Sequence, residues 1–359
     1  MRRRNREMQQ AINHFNIDGA AVSCERYGEG HINETYLVGC DSSKRYILQK
    51  LSRKAFPDIP GLMENIYSVT KHLSSMTDDP RAVLRLIPCE DGQSFYLDKD
   101  GEYWRVYDFV EDSICLQKPE SSEDFRQSAV AFGDFQRMLS SFDASTLHET
   151  IPGFHNTPKR YSNFRRALEN DSFNRAKDIQ KEIDFVLSHE QEASALQNLL
   201  GEGSLPLRVT HNDTKLNNVL LDRKTRKALC VIDLDTVMPG LVSYDFGDSI
   251  RFGASTGAED EKDLDKISLD LSLYEIFAEG FVSSCPDMTK PEIETLPLGA
   301  KIMTLECGVR FLADYLEGDV YFSTARPEHN LDRARTQFKL VSDTEKRWDD
   351  INGIIAKLL

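Results

Sequence analysis

Cysteine occurs seven times in 359 residues, yet never as Cys-x-x-Cys and never within a Cys/His cluster. Neither a structural zinc site nor a disulfide framework is signalled, and free thiols point to a cytoplasmic setting. Positive charge is also scarce: 44 Lys and Arg stand against 59 Asp and Glu, a formal net charge of −15. A field of that sign argues against a nucleic-acid or anionic-membrane surface, since both need a basic face to release counterions. No run approaches the roughly 18 consecutive apolar residues of a membrane span. The start, Arg2-Arg3-Arg4, has the basic character of a signal peptide but no apolar segment behind it, so the amino terminus is expected to be retained and cytosolic. No repeat or low-complexity tract stands out, and nothing implies an obligate protein partner. What is there is an ordinary globular composition, 40% hydrophobic and 29% charged, long enough for two lobes. The expected ligand is a small neutral or zwitterionic molecule.

From about residue 17 to 110 the chain reads as short strands at 22–27, 35–38, 45–51, 94–97 and 103–109, separated by Gly, Asp and Ser. This predicts one twisted antiparallel sheet. Residues 59–76 interrupt it, with Leu62, Ile66, Val69 and Leu73 at helical spacing after Pro57 and Pro60, so one helix is expected to pack on the sheet. Beyond Val110 the spacing turns helical, at 125–142, 161–168, 179–200, 264–281 and 301–316. A strand-rich island at 207–210, 219–222 and 228–233 breaks this region. The expectation is an α+β chain: a small antiparallel β-rich lobe over residues 1–112, then a large mainly α-helical lobe over 113–359. A ligand cleft should lie between them.

The most informative stretch is Val209-Thr-His211-Asn-Asp213-Thr-Lys215-Leu-Asn217-Asn218, a polar connection held between two short apolar strands. Asp213 and Asn218 stand five apart, the spacing of the phosphoryl-transfer loop His-x-Asp-x-x-x-x-Asn, in which the Asp receives the nucleophile's proton and the Asn binds magnesium. His211 then supports the loop. Magnesium on phosphate oxygens needs a second hard oxygen ligand, and Asp233, ending the apolar run 228–232, supplies it. Asp235, two residues on, is a second candidate on the same face. Asp245-Phe246-Gly247 repeats the letters of the protein-kinase metal motif but follows Met238-Pro239-Gly240 rather than an apolar strand. Asp245 and Asp248 are therefore read as structural, bracing a helix or loop that begins near Ser249. Between two predicted strands lies Tyr27-Gly28-Glu-Gly30-His31-Ile-Asn33; Gly28 and Gly30 would let the backbone cover a nucleotide's phosphates.

These motifs resemble the aminoglycoside phosphotransferase and choline kinase superfamily, with its His-x-Asp-x-x-x-x-Asn followed by an Ile-Asp strand end. Within it the chain is most similar to the N-acetylhexosamine 1-kinases, through Gly30-His-Ile-Asn33, residues 208–218, Ile232-Asp-Leu-Asp235, Asp245-Phe-Gly-Asp-Ser249, Arg251-Phe-Gly-Ala-Ser255 and residues 306–319. The resemblance implies a protein-kinase-like pair of lobes and phosphorylation of the anomeric hydroxyl of an N-acetylhexosamine by ATP and Mg2+. Asp213 would be the base, Asn218 and Asp233 the metal ligands, and His31, Asn33, Arg310 and Tyr321 the residues around the sugar.

One departure concerns the strand that ordinarily presents a phosphate-binding lysine. Gln49 occupies the expected position and Lys50 comes one residue late, so alternation should turn Lys50 away from the cleft unless a bulge intervenes. Glu64 as its ion-pair partner is equally open. Glu306, Arg310 and Asp314 also stand at i, i+4 spacing, which without the resemblance reads as a solvated ladder of ion pairs. Kinases for another sugar, an amino alcohol or an aminoglycoside use the same motifs. A metal-dependent hydrolase built on His211, Asp213, Asp233 and Asp235, or a nucleotide-binding pseudokinase without turnover, are the alternatives from other classes.

Overall fold

The structure, a computed structural model, describes residues 2–28 and 32–359. Helix α1 (Arg2–Ile12) leads into strands β1 (Ala21–Arg26), β2 (Glu34–Cys40) and β3 (Arg45–Lys50), then helix α2 (Ile59–Ser74) and strands β4 (Leu86–Ile87), β5 (Tyr96–Leu97) and β6 (Tyr103–Asp108). The six strands form one antiparallel sheet in the order β1-β2-β3-β6-β4, with β5 on one end of β6. Helix α2 starts where Asp58 accepts from the Gly61 amide, with Pro60 in the first turn, an N-cap arrangement that satisfies an orphan donor. Alternation along the strands sorts the two faces. Tyr46, Leu48, Trp104 and Val106 pack with Met8, Ala11, Ile12 and Phe15, whereas Ile47 and Tyr107 face α2. The sheet thus carries a helix on each face instead of the single one expected; α1 offers only a three-residue apolar stripe.

The chain then passes through β7 (Ser113–Cys115) to helices α3 (Ser122–Met138), α4 (Thr157–Asn170), α5 (Gln180–Ser188) and α6 (Ala195–Gly201). Residues 179–200, read as one helix, are broken into α5 and α6. Strands β8 (Arg208–Thr210), β9 (Val219–Asp222), β10 (Ala228–Val231) and β11 (Met238–Gly240) follow, and after them α7 (Val242–Gly253), α8 (Leu271–Ser284), α9 (Lys290–Glu294), α10 (Leu296–Leu316), α11 (His329–Lys346) and α12 (Trp348–Ala356). Strand β9 pairs with β10 and β7, and β8 pairs with β11.

Two helices set the frame of this lobe. In α7 every residue from Val242 to Arg251 is buried, so it has no polar face, and the helix begins seven residues before the expected Ser249. It crosses α10 at Gly247 and Gly299, where an added Cβ would come within 2.4 Å and 2.3 Å of carbonyl oxygens on the other helix. Only glycine allows that approach. Helix α2 in turn shares its core with the strands around the connection 211–218: Leu62 and Ile66 cluster with Val209, Cys230, Leu234 and Val237. Asn65 reinforces the joint by donating to the carbonyls of Val237 (3.1 Å) and His148 (2.8 Å). Among the described residues, no helix is long and apolar enough to cross a membrane.

Candidate active site

Strand β8 ends in the connection 211–218, and β10 ends just before Asp233. His211 is fully buried, its ring edge-on to Phe132 and Phe135. Its Nε2 lies 2.9 Å from the Ile232 carbonyl, and its Nδ1 faces the Asp213 amide at 3.3 Å. Those partners require the proton on Nε2, with Nδ1 accepting. The imidazole thus ties the Asp213 loop to the residue preceding Asp233. A second tie is backbone, the Ile232 amide donating to the Asn218 carbonyl at 2.9 Å.

The loop is braced from beneath by α7. Asp245, in that helix's first turn and wholly buried, accepts from the amides of His211 (2.9 Å) and Asn212 (2.8 Å) and from Gln136 Nε2 (2.7 Å). Burial raises its pKa against these bonds. Asp248 accepts from the Thr214 amide at 3.1 Å and pairs with Arg251 at 2.9 Å. Both aspartates thus accept from main-chain amides of the connection 211–218, so what they brace is that loop and not the start of a helix near Ser249. Asn212 adopts the left-handed backbone at φ 65°, a conformation Asn tolerates, and its amide donates to Thr236 O at 2.8 Å.

Asp213 opens on the cleft. Its Oδ1 is 2.7 Å from Lys215 Nζ, and Asn218 Nδ2 donates to its Oδ2 at 3.1 Å and to its carbonyl at 2.7 Å. Depth in the protein would push the carboxyl up, but Lys215 holds it below the usual carboxylate range. Lys215, present in the motif yet given no role from sequence, stands two residues after Asp213 on the same side of an extended stretch. With Asn218 Nδ2 committed to Asp213, its Oδ1 is the atom left for a cation. Asp233 sits at φ 60°, in the left-handed region, and keeps an exposed side chain. The protein packed around that side chain, together with the charges of Asp235 and Asp213, pushes its pKa up to about 6. Among the described residues no three His, Cys, Asp or Glu side chains gather into a cage. Asn218 and Asp233 instead offer two hard oxygen donors, the pattern of magnesium completed by phosphate oxygens and water.

Asp235 does not share the Asp233 face. The strand has ended at Val231, and residues 234–236 form a short 3-10 turn that directs Asp235 inward to ion-pair with buried Arg105 and to accept from Asn33 Nδ2. Asn33, placed at the sugar by the resemblance, is buried and accepts from the Ser52 amide through Oδ1 (2.9 Å). Lys50 turns outward, 3.1 Å from Glu102 and over the Trp104 ring. Glu64 pairs with His148 at 2.6 Å. Gly28 takes φ 73° with open space around it, so its glycine serves conformation. Gly30 and His31 lie outside the described residues.

Arg310 has no carboxylate partner among the described residues, and the i, i+4 ladder is absent. Its guanidinium lies 5.2 to 5.9 Å from the ring centres of Phe154, Phe322 and Tyr321. Asp314, one turn on, accepts the amides of Val320 (3.0 Å), Tyr321 (2.8 Å) and Phe322 (3.0 Å), which hangs the ring-bearing loop beside Arg310 and leaves Tyr321 exposed. Glu306 is committed to His155 Nδ1 (2.9 Å) and Thr157 (2.7 Å), and His155 Nε2 faces the Asn212 carbonyl at 3.4 Å. The Arg310 cluster therefore adjoins the catalytic loop. Arg160 completes it, with its pKa lowered by burial and by Arg310.

A model of the phosphotransferase enzyme family matches residues 23–270. Among solved structures, a microcompartment-associated aminopropanol kinase is similar at a TM-score of 0.60 and 16% identity, covering 97% of this chain and 98% of its own. An amicoumacin kinase in complex with AMP-PNP and Ca2+ gives 0.61 at 11% identity, covering 94% and 91%. The choline kinase of Cryptosporidium parvum gives 0.57 at 16%, covering 94% and 93%. These likenesses are of fold, a β-sheet lobe joined to a helical lobe.

Proposed function

Because the chain belongs to the phosphotransferase enzyme family, we propose that it transfers the γ-phosphoryl group of ATP to the anomeric hydroxyl of an N-acetylhexosamine, GlcNAc or GalNAc, giving the sugar 1-phosphate. The observation that carries the reading is the convergence of Asp213, Asn218 and Asp233 on one cleft, locked together through His211. Residues 1–112 are the nucleotide-binding lobe and residues 113–359 the catalytic and acceptor-binding lobe. That no disulfide joins any of the seven cysteines among the described residues supports a cytoplasmic enzyme.

Asn218 Oδ1 and the Asp233 carboxylate would hold magnesium, whose chemistry is to neutralise phosphate charge. Gly28, at φ 73° with open space around it, would help cover the phosphates. Asp213 orients the acceptor hydroxyl and takes its proton. A carboxylate kept below its usual range by Lys215 is a weak base, which suits a loose transition state in which the hydroxyl needs positioning more than deprotonation. Lys215, 2.7 Å from Asp213, would set its positive charge beside the acceptor hydroxyl.

At the acceptor end, Arg310 and Arg160 place two cations around the one buried carboxylate of Glu306, which leaves the cluster net positive. That field suits hydroxyl and amide oxygens and opposes an ammonium-bearing acceptor. The rings of Phe154, Tyr321 and Phe322, of the kind that cages a quaternary ammonium, already surround a guanidinium. A screen of ATP consumption across N-acetylhexosamines, neutral sugars, choline and aminoglycosides tests the reading. Turnover with GlcNAc or GalNAc and a 1-phosphate by phosphorus NMR are expected. Turnover confined to the cationic acceptors would refute the sugar assignment.

A further inference from the structure

The inner face of the first sheet lacks a lysine and holds an arginine instead. In the pairing of β3 with β6, Gln49 stands opposite Arg105 and Lys50 opposite Trp104, so Gln49 and Arg105 share the face turned to α2 and the cleft. Arg105 is 1% exposed. Its Nε donates to Gln49 Oε1 at 2.9 Å, its Nη1 pairs with Asp235, and its guanidinium lies 5.1 Å from the Tyr107 ring centre. Gln49 Nε2 passes the chain on to Thr35 Oγ1 at 2.9 Å. On the other side, Asp235 accepts from Asn33, which is itself fixed by Ser52.

One guanidinium thereby joins β6, β3, the start of β2 and the turn two residues beyond Asp233. A buried ion pair is poor support for stability, because desolvating both charges offsets their attraction. What this one does is fix geometry between elements from both lobes. A planar fork serving two partners at once sets angle as well as distance.

We propose that Arg105 is a positioning residue of the nucleotide site: acting through Gln49, Asp235 and Asn33, it sets the start of β2 against the turn that carries Asp233. The proposal rests on the kinase reading above. It is tested with Arg105→Met, Arg105→Lys and Asn33→Ala in the full-length protein, by calorimetric binding of AMP-PNP with magnesium, by KM for ATP and for acceptor, and by thermal unfolding without ligand.

Arg105→Met should weaken magnesium-dependent AMP-PNP binding ~10- to 100-fold, the range for residues that orient metal ligands, with the acceptor KM changed less than ~2-fold. Arg105→Lys should recover part of the loss, since an ammonium reaches Asp235 but does not serve Gln49 in the same plane. Asn33→Ala leaves the ion pair in place and reads the tether when Arg105→Met does not fold; it should weaken the nucleotide while unfolding near the wild-type temperature. Wild-type nucleotide binding by folded Arg105→Met and Asn33→Ala overturns the proposal alone, as does an Asn33→Ala defect confined to the acceptor KM. Failure of the wild-type chain to bind magnesium AMP-PNP overturns the kinase reading, and the proposal with it.

Discussion

Two aspartates compete for the metal, and the structure predicts that they fail in opposite ways. Asp245 is wholly buried and satisfies the amides of His211 and Asn212 and the side chain of Gln136. Asp245→Ala leaves those three donors unpaired in the interior at ~1–3 kcal/mol each, or ~3–9 kcal/mol together. Against a total of ~5–15 kcal/mol that is a large share. With ~2.1 cal/mol/K of unfolding entropy per residue, it lowers the melting midpoint by ~4–12 °C. Asp233 makes no comparable bonds; its carboxylate opens on the cleft and is opposed by Asp235 and Asp213. Asp233→Asn removes that repulsion and keeps a residue at ease in the left-handed backbone, so its midpoint should equal or exceed wild type while its magnesium requirement climbs. The assay pairs thermal unfolding of each ligand-free variant with a magnesium titration of AMP-PNP binding. An Asp245→Ala protein that melts like wild type and needs more magnesium would show that the metal ligand had been misassigned.

Asp213→Ala should abolish turnover while leaving AMP-PNP binding within ~3-fold in calorimetry, because the residue acts on the acceptor. A methyl glycoside of N-acetylglucosamine, with the anomeric oxygen blocked, should not be phosphorylated, as phosphorus NMR would show; a 6-phosphate product would defeat the anomeric assignment. Arg310→Ala should raise the acceptor KM ~10-fold or more with the ATP KM unmoved, since a fork of donors is lost. With Asp233 pushed up to about 6, magnesium affinity should be full above that pH and fall ~10-fold per unit below it, as a proton competes for the ligand. The same shift means the folded chain holds that proton more tightly than the unfolded chain, so this group's contribution to stability declines as pH rises through the window between its ordinary value and about 6.

The strands of the first lobe were legible because period-two alternation survives wherever a sheet separates two environments, as Tyr46 and Leu48 against Ile47 and Gln49 show. The polar connection 211–218 and the strand ending just before Asp233 were legible because short apolar runs flank them. Helix α7 was hidden by the opposite condition: buried from Val242 to Arg251, it has no solvent face to give a period. Strand β11 was hidden by Pro239, which reads as a turn and is tolerated in a two-stranded edge. Arg105 carried no local signal at all. It meets Asp235 across 130 residues of chain, and only the register of β6 against β3 reveals that it points inward.

The tether at Asp314 has a consequence for how the acceptor wall can change. It grips Val320, Tyr321 and Phe322 by their main-chain amides, which every residue but proline possesses. The anchor is therefore indifferent to which side chains the loop carries. Substitutions there can redraw the wall around Arg310 without dismantling the support, so under the proposed function a combinatorial library would steer substrate scope one loop residue at a time while the helix beneath stays constant.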